Sequence, residues 1–335
     1  MRLTDPIIRE GPQLAVDYVA FDSLGVMGMC TCITTPEITV TIDPGASVEP
    51  GSFPLPVERR HALLDDRLAA VRAACARSQA IVVSHYHLDH LLPERDPELY
   101  GDKIVFLRDP ETVTPKQAAV GRRFLRVLDG LAREVIFADG RRFKYRKSEI
   151  AFSGPVWHGN ENAEPGTVIM TQVSRGRERV LVTSDVGGPL DDATVEAIIG
   201  ARAATVILDG YPTYKLGQFA TDHDLVRSIT SICRVLAARD VRAVVIDHHL
   251  ARDYRYPAYF RLAYDKARAL GKRLGTAAEL NGRTSAVLQG YQDYGPTRWH
   301  KWAPLERDEA RGVLQRAIGA GSLPASVLAD FDRWV

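Results

Sequence analysis

The sequence predicts an α/β fold, and three observations carry that prediction. Short runs rich in Val, Ile and Thr alternate with amphipathic stretches along most of the chain. Several of these runs are apolar throughout, as are strands buried on both faces of a parallel sheet. The runs also stop repeatedly at an acid or an imidazole: Ile42 at Asp43, Ser84 at His85, Ser184 at Asp185, and Ile246 at Asp247 and His248. In open α/β sheets ligands bind beyond the strands' carboxyl ends, so residues remote in sequence meet there on one rim.

Taken in order, residues 14–21, 29–34 and 37–42 read as strands, with Pro36 marking a turn. Val57, Leu64, Leu68, Val71 and Cys75 give residues 56–77 the spacing of an amphipathic helix. Ala80–Ser84 is a short buried strand running into His85-Tyr86-His87-Leu88-Asp89-His90. Beyond it the pattern predicts a strand over 103–107, a helix over 115–133, and strands near 134–138, 149–152, 166–174 and 179–183. A helix over 191–199 capped by Asp191 or Asp192, a strand over 205–208 ending at Asp209, a helix over 222–238 and a strand over 241–246 complete the alternation. From residue 291 the chain reads as loop and then as helix, so we expect one domain over 1–290 and a helical extension over 291–335.

Composition narrows the function. Lys plus Arg number 43 against 42 Asp plus Glu, a net charge of +1, which does not indicate a nucleic-acid binder, though a local basic groove is compatible with it. No stretch has the apolar length of a membrane span, and Asp5, Pro6, Arg9 and Glu10 interrupt any leader-like run. We therefore expect a cytoplasmic protein that does not bind membranes. Its four cysteines, Cys30, Cys32, Cys75 and Cys233, read as reduced core residues, too few and too scattered for a cysteine-only zinc site.

The strongest chemical signal is His85-x-His87-x-Asp89-His90. After a strand, His85 and His87 point the same way and can hold one cation, while Asp89 and His90 on the following turn can reach a second. Imidazole and carboxylate suit zinc, with manganese and iron as alternatives.

This run, preceded by Asp43 and followed by Trp157-His158-Gly159, Asp185 and Asp247-His248-His249, resembles the metallo-β-lactamase-fold superfamily over about residues 15–250. Together with the Ala138-Asp139-Gly140 segment, it looks most like a branch of predicted metal-dependent hydrolases common in archaea. The resemblance implies an αββα sandwich, two mixed sheets flanked by helices. It implies a dinuclear centre with His85, His87 and His158 at one metal and Asp89, His90 and His248 at the other. Asp185 would lie between them, with His249 a competitor of His248 and Asp43 orienting the histidine loop. It further implies a metal-bridging hydroxide that attacks an ester-like or phosphodiester substrate, with Asp89 and Asp185 central to catalysis.

Other residues are open to two readings. His223 reads as a substrate or leaving-group contact, or as a solvated helix start. Tyr214 reads as a proton donor or a stacking surface, and Lys215 as a phosphate contact, or both as loop packing. His61 reads as structural, His300 as packing the extension onto the core with Trp299 and Trp302, and Arg122, Arg123, Arg141 and Arg142 as solvated faces. The alternatives to a small-molecule hydrolase are a nuclease or phosphodiesterase and a non-catalytic metal-binding scaffold of the same fold. A flavodiiron-type oxidoreductase fits less well, because that pattern has a Glu where His87 stands. The oligomeric state is not legible.

Overall fold

Strict alternation of buried side chains builds the architecture. The computed structural model describes residues 13–92 and 95–335, so Asp5, Pro6, Arg9 and Glu10 lie outside the described residues. The first sheet runs β1 (Ala15–Phe21), β2 (Met29–Thr34), β3 (Thr39–Ile42), β4 (Ala80–Val83), β5 (Ile104–Leu107) and β6 (Glu134–Phe137), in that spatial order. The second runs β7 (Arg142–Tyr145), β8 (Ser148–Trp157), β9 (Thr167–Arg175), β10 (Glu178–Val182), β11 (Thr205–Leu208), β12 (Ala243–Ile246) and β13 (Arg273–Gly275), again in spatial order. β3 to β6 are parallel, as are β10 to β13, and the remaining neighbours are antiparallel.

Along β4, Ala80 and Val82 face the second sheet while Ile81 and Val83 face helices, as a period of two requires. Along β12, Val245 faces inward and Val244 and Ile246 face outward. The core between the sheets holds Ile33, Val40, Phe106, Ile150, Ile169 and Ile207. On the outer face of the first sheet lie α1 (Val57–Arg77) and α2 (Pro115–Leu128), packed through Leu68, Val71, Cys75 and Phe124. On that of the second lie α3 (Asp192–Gly200), α4 (Asp222–Ala237) and α5 (Arg261–Ala269). The result is a four-layered αββα sandwich with two mixed sheets. All four cysteines are free and buried.

Several element boundaries differ from the sequence reading. α2 ends at Leu128, because Asp129 leaves helical geometry and Gly130 turns at φ 70°. β7 was not legible, since its short run is half charged, and β8 extends well beyond 149–152 with a register shift between Phe152 and Pro155. Val57 opens α1 but stays 47% exposed. Residues 291–294 are helical, the end of α6 (Ala286–Tyr294), so the loop begins at Gly295. Beyond it, α7 (Arg307–Gly319) and α8 (Ser326–Trp334) bring Leu314 and Phe331 into the core that contains α4. Among the described residues, no helix is long and apolar enough to cross a membrane.

Candidate metal centre

The parallel strands aim their carboxyl ends at one rim, where sharp turns deliver the polar groups. Asp43, Ser184 and His249 adopt φ of 49°, 56° and 65°, left-handed geometry that costs a non-glycine residue roughly 1–2 kcal/mol. Asp43 receives the Ser84 N–H at 2.8 Å and the hydroxyls of Ser84 and Ser184 at 2.7 and 2.9 Å. It thereby ties the end of β3 to the ends of β4 and β10. Tyr86 is buried on the helix side, its hydroxyl donating to the Arg108 carbonyl, so His85 and His87 project together toward the rim. His85 Nε2 lies 3.0 Å from His87 Nδ1. The next turn passes over Gly45, where a Cβ would meet the backbone of Asp89 and His90 at 2.5 Å. His90 Nδ1 sits 3.0 Å from Asp43 Oδ2, so that nitrogen donates to the carboxylate and Nε2 faces the rim.

The second sheet supplies one side chain per strand end. His158 follows β8, its N–H donating to the Gly166 carbonyl at 2.9 Å. Asp185 follows β10, and the loop after it hangs on Asp209, which accepts N–H groups of Val186, Gly187 and Gly188 at 3.0, 2.8 and 3.4 Å. Gly188 is obligatory there: a Cβ would stand 2.6 Å from the Tyr211 nitrogen. His248 follows β12 and sets its Nδ1 2.6 Å from Asp22 Oδ2. Asp22 also accepts the His249 N–H and the Arg252 Nε–H, each at 2.9 Å. Asp247 points away from the rim, accepting N–H groups of Ser23 and Ala277.

Asp185 stands between two sets of imidazoles. Its Oδ2 is 3.2 Å from His158 Nε2, 3.5 Å from His85 Nε2 and 4.0 Å from His87 Nδ1. Its Oδ1 is 3.0 Å from His90 Nε2 and 3.6 Å from His248 Nε2. His248 Nε2 is in turn 3.5 Å from Asp89 Oδ2 and 3.4 Å from His90 Nε2. Asp185 Oδ1 is buried without a hydrogen bond among the described residues. His90 Nε2 faces that oxygen across 3.0 Å, a close approach that needs a proton or a cation between the two atoms. The ligand atoms gather within 4.8 Å of each other as His85, His87, His158 and Asp185, as Asp89, His90 and His248, and as Asp185, His248 and His249. This donor set fits divalent cations.

The electrostatics favour positive charge at the same place. Burial pulls the imidazole of His90 down, yet Asp185 and Asp43 hold it well above the ordinary histidine range. Burial likewise opposes His248, which Asp22 and Asp185 nevertheless push up to about 10. His85, deeper among other imidazoles, is driven by burial down to about 3 and so is neutral. Against its burial, His90, His248 and Arg252 hold the Asp89 carboxyl down at about 2. Burial and the Asp185 charge raise Asp209 to about 7.

The structure thus brings His85, His87, Asp89, His90, His158, Asp185 and His248 together, with Asp43 directly behind them. His249 lies beside His248, ring centroids 4.1 Å apart, with its Nδ1 turned 3.3 Å from Asp209. Tyr214 lines the cavity next to the cluster, and Arg252 Nη1 donates to its hydroxyl at 3.0 Å. His223 is half-buried on the first turn of α4 and does not line that cavity. Lys215 lies over the Tyr214 and Phe219 rings. His61 and His300 are exposed, so Trp299 and Trp302 pack the C-terminal segment onto Tyr254 without His300. Sequence reasoning missed Asp22, Asp209 and Arg252 as orienting groups. Asp22 and Asp209 both end buried strands, the same signal that marked Asp43 and Asp185.

The αββα sandwich with this rim defines a metallo-β-lactamase-fold protein, as the motif resemblance implied. The chain is 32% identical over 288 residues to the UPF0282 protein of Methanopyrus kandleri, covering 82% of this chain and 96% of that one. It is 32% identical over 285 residues to the UPF0282 protein of Metallosphaera sedula, covering 82% and 90%. The chain belongs to the UPF0282 family. Both relatives are archaeal, in keeping with the branch the motifs resemble. Among solved structures it is similar to the metallo-β-lactamase-fold protein YhfI of Bacillus subtilis, at TM-score 0.48 and 13% identity over 78% of this chain and 96% of that one. No family model matches the chain.

Proposed function

We propose that this protein is a dinuclear metal-dependent hydrolase of ester-like or phosphodiester substrates. The observation that carries the reading is the division of Asp185: one oxygen toward His85, His87 and His158, the other toward His90 and His248. In this reading the first three histidines hold one cation, Asp89, His90 and His248 hold the second, and Asp185 is shared. Zinc is our first choice, since nitrogen and carboxylate donors suit it, with manganese and iron as alternatives. A pair of such cations, when bound, would lower the pKa of a bound water toward about 7 and, by drawing charge from a substrate oxygen, would make the carbon or phosphorus bearing it more electrophilic.

The chain's own groups do the rest. Asp43 fixes the His90 tautomer, and Asp22 fixes that of His248. Asp89 lines the cavity and orients the attacking water. The Tyr214 oxygen already accepts from Arg252, which can only donate. The phenol proton is therefore free to turn into the cavity, toward the substrate's departing oxygen. His249 helps line the entrance, and His223 has no part in this scheme. Residues 291–335 form an extension packed on α4 that lends no residue to the cavity. The free, buried cysteines fit a reducing compartment, and we place the protein in the cytoplasm.

Elemental analysis of protein purified without chelator tests the centre. We expect about two equivalents of metal per chain, and a loss of both metal and ester hydrolysis on Asp185→Ala. Less than about one equivalent, not restored by added zinc, manganese or iron, overturns the dinuclear reading.

A further inference from the structure

We propose that the cavity beside the cluster takes an uncharged, ester-like molecule carrying an aromatic or branched apolar group, and not a phosphodiester. The inference rests on the hydrolase reading and narrows its substrate.

The cavity measures about 670 Å³, room for a ligand of small-molecule size. Away from the histidines its wall is Leu190, Tyr211, Pro212, Tyr214, Phe219 and Ala220. The polar groups among them are already engaged. The Tyr211 hydroxyl accepts the Thr221 N–H at 2.7 Å and donates to the Thr221 carbonyl at 3.1 Å, leaving only its ring face to a ligand. Asn160 gives its amide to Asp224 at 3.3 Å and receives Arg227 at 3.2 Å, while Arg227 also bonds Asp224 at 2.8 Å. The Tyr214 proton and the second Asn160 amide N–H are donors this wall keeps free. Phe219 stands 71% exposed at the mouth, with the Lys215 ammonium over one face of its ring.

Charge points the same way. Among the described residues lining the cavity there is no lysine or arginine, while Glu164 and Asp224 are acids outside the histidine cluster. Lys215 is near, but it lies over the outer rings, 5.3 and 5.4 Å from the Tyr214 and Phe219 centroids. A phosphodiester needs cations along its backbone, and the two arginines behind this wall are already paired, Arg227 with Asp224 and Arg252 with Asp22. Arg142, Lys144, Arg146, Lys147, Arg179 and Arg202 line a groove at the opposite end of the second sheet. The ten residues of β8 separate it from His158, roughly 30 Å along an extended strand. A polyanion seated there would not present its phosphates to the cluster.

The test is calorimetric titration of the zinc-loaded protein with N-phenylbutyramide, an uncharged probe, and with diphenyl phosphate, an anion of similar size. We expect the amide to bind about tenfold more tightly. We also expect Phe219→Ala, a change at an exposed position, to weaken the amide about fivefold while moving diphenyl phosphate less than about twofold. Tighter or equal binding of diphenyl phosphate, no binding of the amide, or indifference to Phe219→Ala overturns the proposal. Hydrolysis is scored separately with 4-nitrophenyl butyrate and bis(4-nitrophenyl) phosphate. Binding of the amide with turnover of neither ester keeps this inference and removes the hydrolase reading. Preferred turnover of the phosphodiester keeps the hydrolase and removes this inference.

Discussion

The two sheets contribute to the rim in opposite ways. The first presents a contiguous loop, with His85, His87, Asp89 and His90 within six residues and held from behind by Asp43. The second presents single residues from separate strand ends, His158, Asp185 and His248, each needing its own support from Asp22, Asp209 or a backbone group. One half is specified by local sequence, the other by topology. The first tolerates displacement only as a unit, whereas the second is assembled piece by piece.

The sharpest test of that contrast is Asp185→Ala, which removes the carboxylate that faces imidazoles of both halves. Metal content should fall from about two equivalents to one or fewer, and kcat/KM for an ester by about 10³-fold or more. Next come the orienting acids. Asp43→Asn and Asp22→Asn should each weaken metal binding about 10- to 100-fold in competition with a chromogenic chelator. Asp43→Asn should do more, because Asp43 also holds Ser84 and Ser184; the reverse ranking would break the comparison. Tyr214→Phe should lower kcat about 10²-fold while metal content stays the same.

The smallest effect concerns a clip between the halves. Glu37, in the turn between β2 and β3, meets Arg175 at 2.9 Å and Ser148 at 2.6 Å on the second sheet. Hydrogen bonds from Arg175 and Ser148 hold its carboxyl at about 2, against an ordinary value of 4.5. A folded-state pKa below the unfolded one stabilises above the unfolded value and loses that contribution as pH falls through the folded value. Glu37→Gln should therefore lower Tm at pH 7 and converge with the wild type as pH approaches about 2.

What could be read from sequence follows the same division. The histidine loop is legible because its residues are adjacent and follow an apolar strand. Asp185 and His248 are legible as strand ends, but the directions in which His248 and His249 point required the fold. His249 sits at φ 65°, and that turn sends its ring toward Asp209 while His248 faces His90. Asp22 escaped because its partner is more than two hundred residues away. Arg252 escaped because an arginine in a short turn looks solvated until its neighbours are known. β7 escaped because edge strands carry charges that mask their period.

Asp43, Ser84 and Ser184 meet at one point, with the two serine hydroxyls 2.5 Å apart across the sheets. On the proposed dinuclear reading, a cation in the cluster above them would also fasten the halves below, making cation supply a variable of folding as well as of turnover. Free cation at a hundred times its dissociation constant would add about 2.7 kcal/mol to the native state, so a chelator should act on this chain as a mild denaturant. A cell short of the ion would then lose the protein to proteolysis as well as the reaction.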